Sequence, residues 1–427
     1  AELYRDKAQY GKAEPLFRKL VDVRRRIDGN QSAAYALTLS NFGECLYNDS
    51  KDAEAEPMLR EALAIYKQHG PDEGTAVRDY LALVLERKGN FQEAAQLLRE
   101  SAEINLRTLG PNHPDYAISL HNLASDLIDL GDLDGAEAKL REALAATERS
   151  FGKTHPQMTY SLNNLAYVLI EKGQAPAAAP YLEQALEISL AHNGPNHPRT
   201  AGYRSNLARV LLAEGKYDAA EKGFRDALAI MTAAHANNTW PAAQMTAYLG
   251  LVCFDRGQYA EAEKFARHAM DIRKKLGGEQ SPAYASSLVE IAQDRLFQHD
   301  PAAAEPLLRK AVEIRRNKYS AHHPDTVAAE VRLGEALLAE KKYAEAEPIL
   351  QEAAVAAQAG PYAPLPWEVA EAQNALGACL IETGHPRDGE ALLKQSQEGV
   401  MKHPRPALRR QATVLVSEFR PVAVAHN

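Results

Sequence analysis

The residues best suited to chemistry in this chain are its 14 histidines and 3 cysteines. His113, His155, His197 and His323 each precede a proline, at one phase of a long internal period. Such a set invites a metal site. Ligands of one ion must converge within a few ångströms. Residues one helix pair apart are separated by about 10 Å or more. These histidines therefore read as linker residues that cap the helix after them. His322-His323 is a pair without a third ligand. The cysteines, Cys45, Cys253 and Cys379, each fall on an apolar phase and read as small buried thiols. No metal and no other cofactor is expected.

Catalysis finds no foothold either. The chain has no Gly-x4-Gly-Lys-Ser/Thr loop, no Gly-x-Ser-x-Gly elbow and no His-Glu-x2-His pair. Its many carboxylates fall on solvated helix faces. Net charge is −8, which disfavours a nucleic-acid binder, because that function needs a basic stripe. The basic runs Arg24-Arg25-Arg26, Arg273-Lys274-Lys275 and Arg409-Arg410 read as solvated faces. No apolar run is long enough to span a membrane. A cytoplasmic, non-enzymatic protein is expected.

The elements that position these residues follow from one recurring block, Ala-x3-Leu/Phe-Arg-x-Ala-Leu-x-Ile. Its leading Ala stands at Ala13, Ala55, Ala94, Ala136, Ala178, Ala220, Ala262, Ala304 and Ala346, with Gly389 in the tenth slot. The spacings are 42, 39, then six of 42, then 43. A fixed period of this size means stacked supersecondary units rather than one globular core. In the fourth unit Leu162, Leu165, Ala166 and Leu169 form one helical stripe, and Ala178, Leu182, Ala185 and Leu186 a second. Gly173 separates them as a left-handed C-cap. Gly194-Pro195-Asn196-His197-Pro198 closes the unit, with Pro198 suited to a first helical turn.

The same grammar runs along the chain. Turn glycines stand at Gly89, Gly131, Gly173, Gly215, Gly257 and Gly384, replaced by Ser50, His299 and Lys341, where weaker capping is expected. A small residue marks each first helix, from Gly43 and Ala82 through Ala124, Ala166, Ala208 and Gly250 to Ala292, Gly334 and Gly377. The small residue of the second helix follows twelve positions later, and a large one four beyond it, as in Leu59 and Phe224. Ala266 breaks the large series and predicts a looser contact. A proline two after the repeat Ala, at Pro15, Pro57, Pro180, Pro306 and Pro348, should bend the second helix. Residues 70–74 form a short linker and residues 360–366 an enlarged one. Trp240 and Trp367 share one phase and read either as packing on a linker or as exposed rim anchors.

This pattern resembles the tetratricopeptide repeat. The 42-residue period, Asn163-Asn164-Leu165-Ala166 and the Gly-Pro-Asn-His-Pro linkers at 110–114 and 194–198 are similar to its kinesin-light-chain subtype, common in bacteria. Some repeats depart from it, carrying Arg78, Arg204, Glu330 or Gln373 where the family has a large apolar residue. The resemblance implies an all-α, right-handed superhelical solenoid of antiparallel helix pairs with about nine complete repeats. Residues 1–30 would be a partial repeat, 31–403 the tandem array, and 404–427 a capping helix and tail. In such arrays the first helices line a concave groove that holds a peptide or protein segment. The groove phases then carry Asn41, Asn122, Asn164 and Asn206, and around them Tyr160, Asn163, Tyr167 and Arg209. An amide donates and accepts as a peptide unit does, so these residues are expected to bind peptide.

At the concave phases acidic residues outnumber basic ones nine to three, the basic ones being Arg87, Arg209 and Arg332. Clefts focus potential, so a neutral or basic segment is favoured. Two other functions fit the same array. One is a structural subunit packed inside a larger assembly. The other is the sensor or docking array of a bacterial signalling kinase or ATPase, with the weakly similar ending His403-Pro404-Arg405. An upstream segment or another subunit is expected to cover Leu3, Tyr4, Leu16 and Leu20.

Overall fold

The structure is a computed structural model that describes residues 1–70, 72–319, 321–359 and 366–401. The linker at 360–365 and the proposed cap and tail at 404–427 lie outside the described residues. Every regular element among the described residues is an α-helix. The chain divides into two compact units, Ala1–Ser161 and Leu162–Asn427.

The first unit holds α1 (Glu2–Asp6), α2 (Tyr10–Ile27), α3 (Ala33–Asn48), α4 (Asp52–His69), α5 (Thr75–Arg87), α6 (Phe91–Leu109), α7 (Pro114–Asp129) and α8 (Leu133–Phe151). The division falls within α9 (Met158–Glu171). The second unit continues with α10 (Ala175–Asn193), α11 (Pro198–Ala213), α12 (Tyr217–Ala233), α13 (Trp240–Asp255), α14 (Tyr259–Gly277) and α15 (Pro282–Phe297). It ends with α16 (Pro301–Lys318), α17 (Pro324–Ala339), α18 (Tyr343–Ala359), α19 (Pro366–Glu382) and α20 (Pro386–Met401). Within each unit, consecutive helices pack on one another as antiparallel pairs, the arrangement of a helical-repeat solenoid.

The small residues let the paired helices approach. A Cβ placed on Gly43 would stand 2.6 Å from Leu59 Cγ, and one on Gly377 would stand 2.9 Å from the Gly389 carbonyl. The large residues opposite fill the seam. Phe17, Leu59, Leu140, Leu182, Phe224, Leu308 and Leu350 are fully buried, and each such side chain contributes about 1.5–3 kcal/mol on leaving water. In α14, Ala266 is buried without filling its place, and a small pocket opens among Ala247, Gly250, Phe254 and Ala266. Phe265 takes over part of the seam beside Gly250.

The turns keep their geometry even without glycine. Ser50, His299 and Lys341 hold φ of 59°, 60° and 60°, close to the 73° of Gly173. Their hydrogen bonds match too. Lys51 N–H reaches the Leu46 carbonyl and Lys342 N–H the Leu337 carbonyl, as Gln174 N–H reaches Leu169. The expectation of weaker capping is corrected here. The bonds survive, and the substitution costs backbone strain instead, about 1–2 kcal/mol for a residue with a Cβ.

The histidines cap as expected. His113, His197 and His323 accept through Nδ1 from the N–H groups of Asp115, Arg199 and Asp325 at 3.2, 3.1 and 3.1 Å. His155 does the same for Gln157. Pro15, Pro57, Pro180, Pro306 and Pro348 each lie inside a second helix, so each deprives one carbonyl of its partner. Of the departing polar residues, Arg78, Glu330 and Gln373 are buried and Arg204 is half-buried, and the two charged buried ones are paired. Arg78 donates to the Glu73 carbonyl at 2.6 Å and reaches Glu100 at 3.2 Å, and Glu330 lies 2.6 Å from Arg316. All three cysteines are buried and unbridged. At the N-terminal face Leu3, Tyr4 and Leu16 are exposed and Leu20 is half-buried.

Candidate protein-interaction surfaces

In the first unit the groove phases of α7 and the start of α9 meet at a pocket of about 340 Å³. Ile118, His121 and Asn122 come from α7, Thr147 and Phe151 from α8, and Tyr160 from α9. Tyr160 keeps 43% of its surface, and its ring meets the His121 ring edge-on at 6.1 Å. The Nδ1 of His121 is sealed from solvent with no partner among the described residues. Burial holds the imidazole below its ordinary pKa, so the ring is neutral at neutral pH.

Asn41 sits differently. Its amide donates to Glu2 at 3.1 Å and accepts from Arg5 at 3.3 Å, while Arg5 also pairs with Glu44 at 2.8 Å. The short α1 therefore occupies the place where a ligand backbone was expected.

In the second unit the amides form a chain. Asn206 donates to Asn163 at 2.6 Å, and Asn163 points its own amide at Asn164 at 3.4 Å. One helical turn further along α9 and α11, the Arg209 guanidinium lies 5.0 Å from the ring centroids of both Tyr167 and Tyr248. Its NH2 group reaches Glu171 at 2.7 Å. Arg209 is thus stacked, paired and buried, and the free charge expected at this position is already neutralised. The Glu171 carboxylate and burial raise the Tyr167 hydroxyl well above its usual pKa, with Asp325 adding to the same effect. Asp325 stands in the first turn of α17.

The other cations on this wall are also held. Arg332 bridges Glu335 at 2.8 Å and Glu371 at 3.0 Å, and burial raises the Glu335 carboxyl. Arg273, from the second helix α14, donates to Ser287 at 2.7 Å and reaches Glu290 at 3.2 Å. Trp367 is buried, and a Cβ on Gly173 would lie 3.5 Å from its Cη2. Trp240 takes the other expected role. It is 46% exposed and packs over Gly277, the last residue of α14.

Sequence reasoning missed Arg5, His121 and Arg273 as members of these surfaces. His121 carried a readable signal, because it neighbours Asn122 on a first helix. Arg273 carried none, since the groove phases were read on first helices alone.

The tetratricopeptide repeat profile matches residues 1–68, 74–149, 120–191, 157–233, 242–317 and 298–359, and a second tetratricopeptide repeat profile matches 206–274. No curated protein matches the sequence. Among solved structures, the apo form of the quorum sensor NprR from B. thuringiensis aligns with a TM-score of 0.56 at 15% identity, over 83% of this chain and 95% of that one. A Rap protein complexed with competence and sporulation factor aligns with a TM-score of 0.53 at 15% identity, over 81% and 99% of the two chains. Kinesin-light-chain TPR-like repeats from Podosopora anserina align with a TM-score of 0.39 at 23% identity, over 47% and 96%. At these identities the likeness is one of fold. No described helix is long and apolar enough to cross a membrane. The profile matches, which cover most of the sequence, establish that the chain belongs to the tetratricopeptide repeat family.

Proposed function

We propose that this chain is a non-catalytic interaction scaffold of the cytoplasm that holds an extended protein segment along its first helices. The observation that carries the reading is the amide chain of the second unit, Asn206 to Asn163 to Asn164, beside the part-exposed ring of Tyr167; the same repeat phase carries Asn122 in the first unit. An extended segment offers alternating N–H and C=O groups, and amides answer both. The fold likeness to a Rap protein solved with competence and sporulation factor supports the same use of the fold. The segment is neutral to basic, because Arg209 and Arg332 are both bound to carboxylates and Arg332 faces two of them.

The test is capture of the partner from the source lysate, followed by calorimetry on the bound segment. Changing Asn122, Asn164 and Asn206 together to Ala should weaken binding by about 1–3 kcal/mol, given about 1 kcal/mol net per hydrogen bond. An unchanged affinity, or a strongly acidic segment, overturns the placement. A second reading, a subunit packed edge-on in an assembly, is favoured by the apolar face of Leu3, Leu16, Val23 and Ile27, all exposed. It expects a partner that is lost on changing Leu16 and Ile27 to Ser and kept by the triple Asn variant.

A further inference from the structure

We propose that Glu86 of α5 and Asp126 of α7 form a buried proton-binding site that closes the seam between these two first helices, so that the seam opens more readily as the proton is given up. The proposal concerns the first unit alone and depends on neither reading of what the groove holds.

The two acids stand where the repeat is apolar. Two residues after the small residue of the first helix come Val84, Val168, Val210 and Val252, and in α7 Asp126. Four residues after it come Ile128, Ile170, Leu212 and Phe254, and in α5 Glu86. Acids meet at these two phases of successive first helices only here along the array. Asp126 is fully buried, and among the described residues no N–H or O–H reaches either of its oxygens, which are sealed from solvent. Glu86 is half-buried, and its carboxyl comes within hydrogen-bond reach of Asp126. An ionised carboxylate only accepts, so two of them bond only through a shared proton. Without that proton, two like charges would face each other away from water.

The surroundings do not neutralise the pair. Arg87, next to Glu86, is drawn the other way. Its guanidinium donates to the Tyr47 carbonyl at 2.8 Å and to Asp52 at 3.1 Å, and lies over the Tyr47 ring at 3.7 Å. Its pull on Glu86 is smaller than the effect of burial. Asp129, one turn after Asp126, adds a further negative charge. Among the described residues, α6 and α8 bring no charge to either acid. Burial, and then the Glu86 charge, raise the Asp126 carboxyl to about 9. Opened to water, it would titrate near the ordinary value of about 4. Between those values the closed seam holds a proton that the open seam has lost. Each opening then releases one proton, and the open fraction rises about tenfold per pH unit. Tyr80 of α5 and Asn122 of α7 stand at the groove phase, so this stretch of the groove is the one that loosens.

The test is amide hydrogen exchange on the full chain from pH 5 to pH 8, each rate divided by its intrinsic rate. Protection in the last turns of α5 and α7 should fall about tenfold per pH unit. The seam between α11 and α13, with Val210 and Val252 at the Asp126 phase, should change far less. Asp126→Asn and Glu86→Gln each give the pair a permanent N–H donor, and each should abolish the slope. If Asp126→Asn folds poorly, Glu86→Gln, at a half-buried position, carries the test alone. No slope in the parent, an equal slope between α11 and α13, or a slope that survives Glu86→Gln overturns the proposal. A slope that emerges only after EDTA is added assigns the pair to a metal ion and overturns it as well.

Discussion

Gly43 and Gly202 show how one residue type carries two opposite expectations. A Cβ on Gly43 meets Leu59 at 2.6 Å, and Leu59 is fully buried and cannot retreat. Around Gly202, in α11, a Cβ meets nothing within 4 Å. Alanine gains about 1 kcal/mol of helix propensity over glycine, while overpacking a seam costs about 1–3 kcal/mol. Gly43→Ala should therefore lower the urea midpoint, and Gly202→Ala should raise it slightly. Equal midpoints would show that the seam yields. Asp126 makes a different prediction at the same scale. Burial, and then the neighbouring Glu86 charge, push its carboxyl up to about 9, and Glu86 is itself raised by burial. Between the ordinary carboxylate pKa near 4 and about 9 the folded state keeps a proton that the unfolded state has lost. Stability therefore falls as pH rises through that window. Asp126→Asn should flatten this decline, seen as a smaller difference in melting temperature between pH 5 and pH 9 than in the parent.

At the scale of the element, the helix caps are the most direct test. His197 accepts from Arg199 N–H at 3.1 Å at the start of α11. Losing a cap costs about 0.5–2 kcal/mol. His197→Ala should show that loss in a denaturant melt, and His197→Asn, whose side chain also accepts, should recover most of it. Equal losses in both would mean that the ring is needed for packing rather than capping. These caps were legible in the sequence because His-Pro recurs at one phase and capping is local. The small-to-large seams were legible for the same reason, since each pair packs on itself. Other contacts were not. Arg5 reaches Asn41 from a five-residue helix with no repeat signature. Arg273 enters from a second helix. Both depend on which side chain is long enough to cross a seam, and periodicity does not encode that. The turns at Ser50, His299 and Lys341 were misjudged, because packing on both flanks holds a left-handed residue that local preference disfavours.

At the scale of the molecule, the second unit carries a contact that no local pattern predicts. Trp240 and Trp367 occupy the same repeat phase, yet Trp240 packs over Gly277 beside it while Trp367 lies against Gly173. Between Gly173 and Trp367 stand four further helix pairs, from α11 to α18. Contact at such a distance along a solenoid arises from the small rotation added at each repeat, summed over the array. The turn at Gly173 holds a left-handed residue, with φ of 73°, and a Cβ there would rest in ordinary contact with the indole. Trp367 thus ties the turn after α9 to the start of α19, and the wall bearing Asn163, Asn164, Tyr167 and Arg209 is held from both sides. Local opening is governed by how many buried contacts a segment has. Trp367→Ala should therefore raise amide exchange in the turn from Glu171 to Gln174 as well as in α19. Trp240→Ala should raise it only in α13 and near the end of α14. Matching exchange at that turn in the two variants would show that the long-range contact contributes nothing to holding the wall.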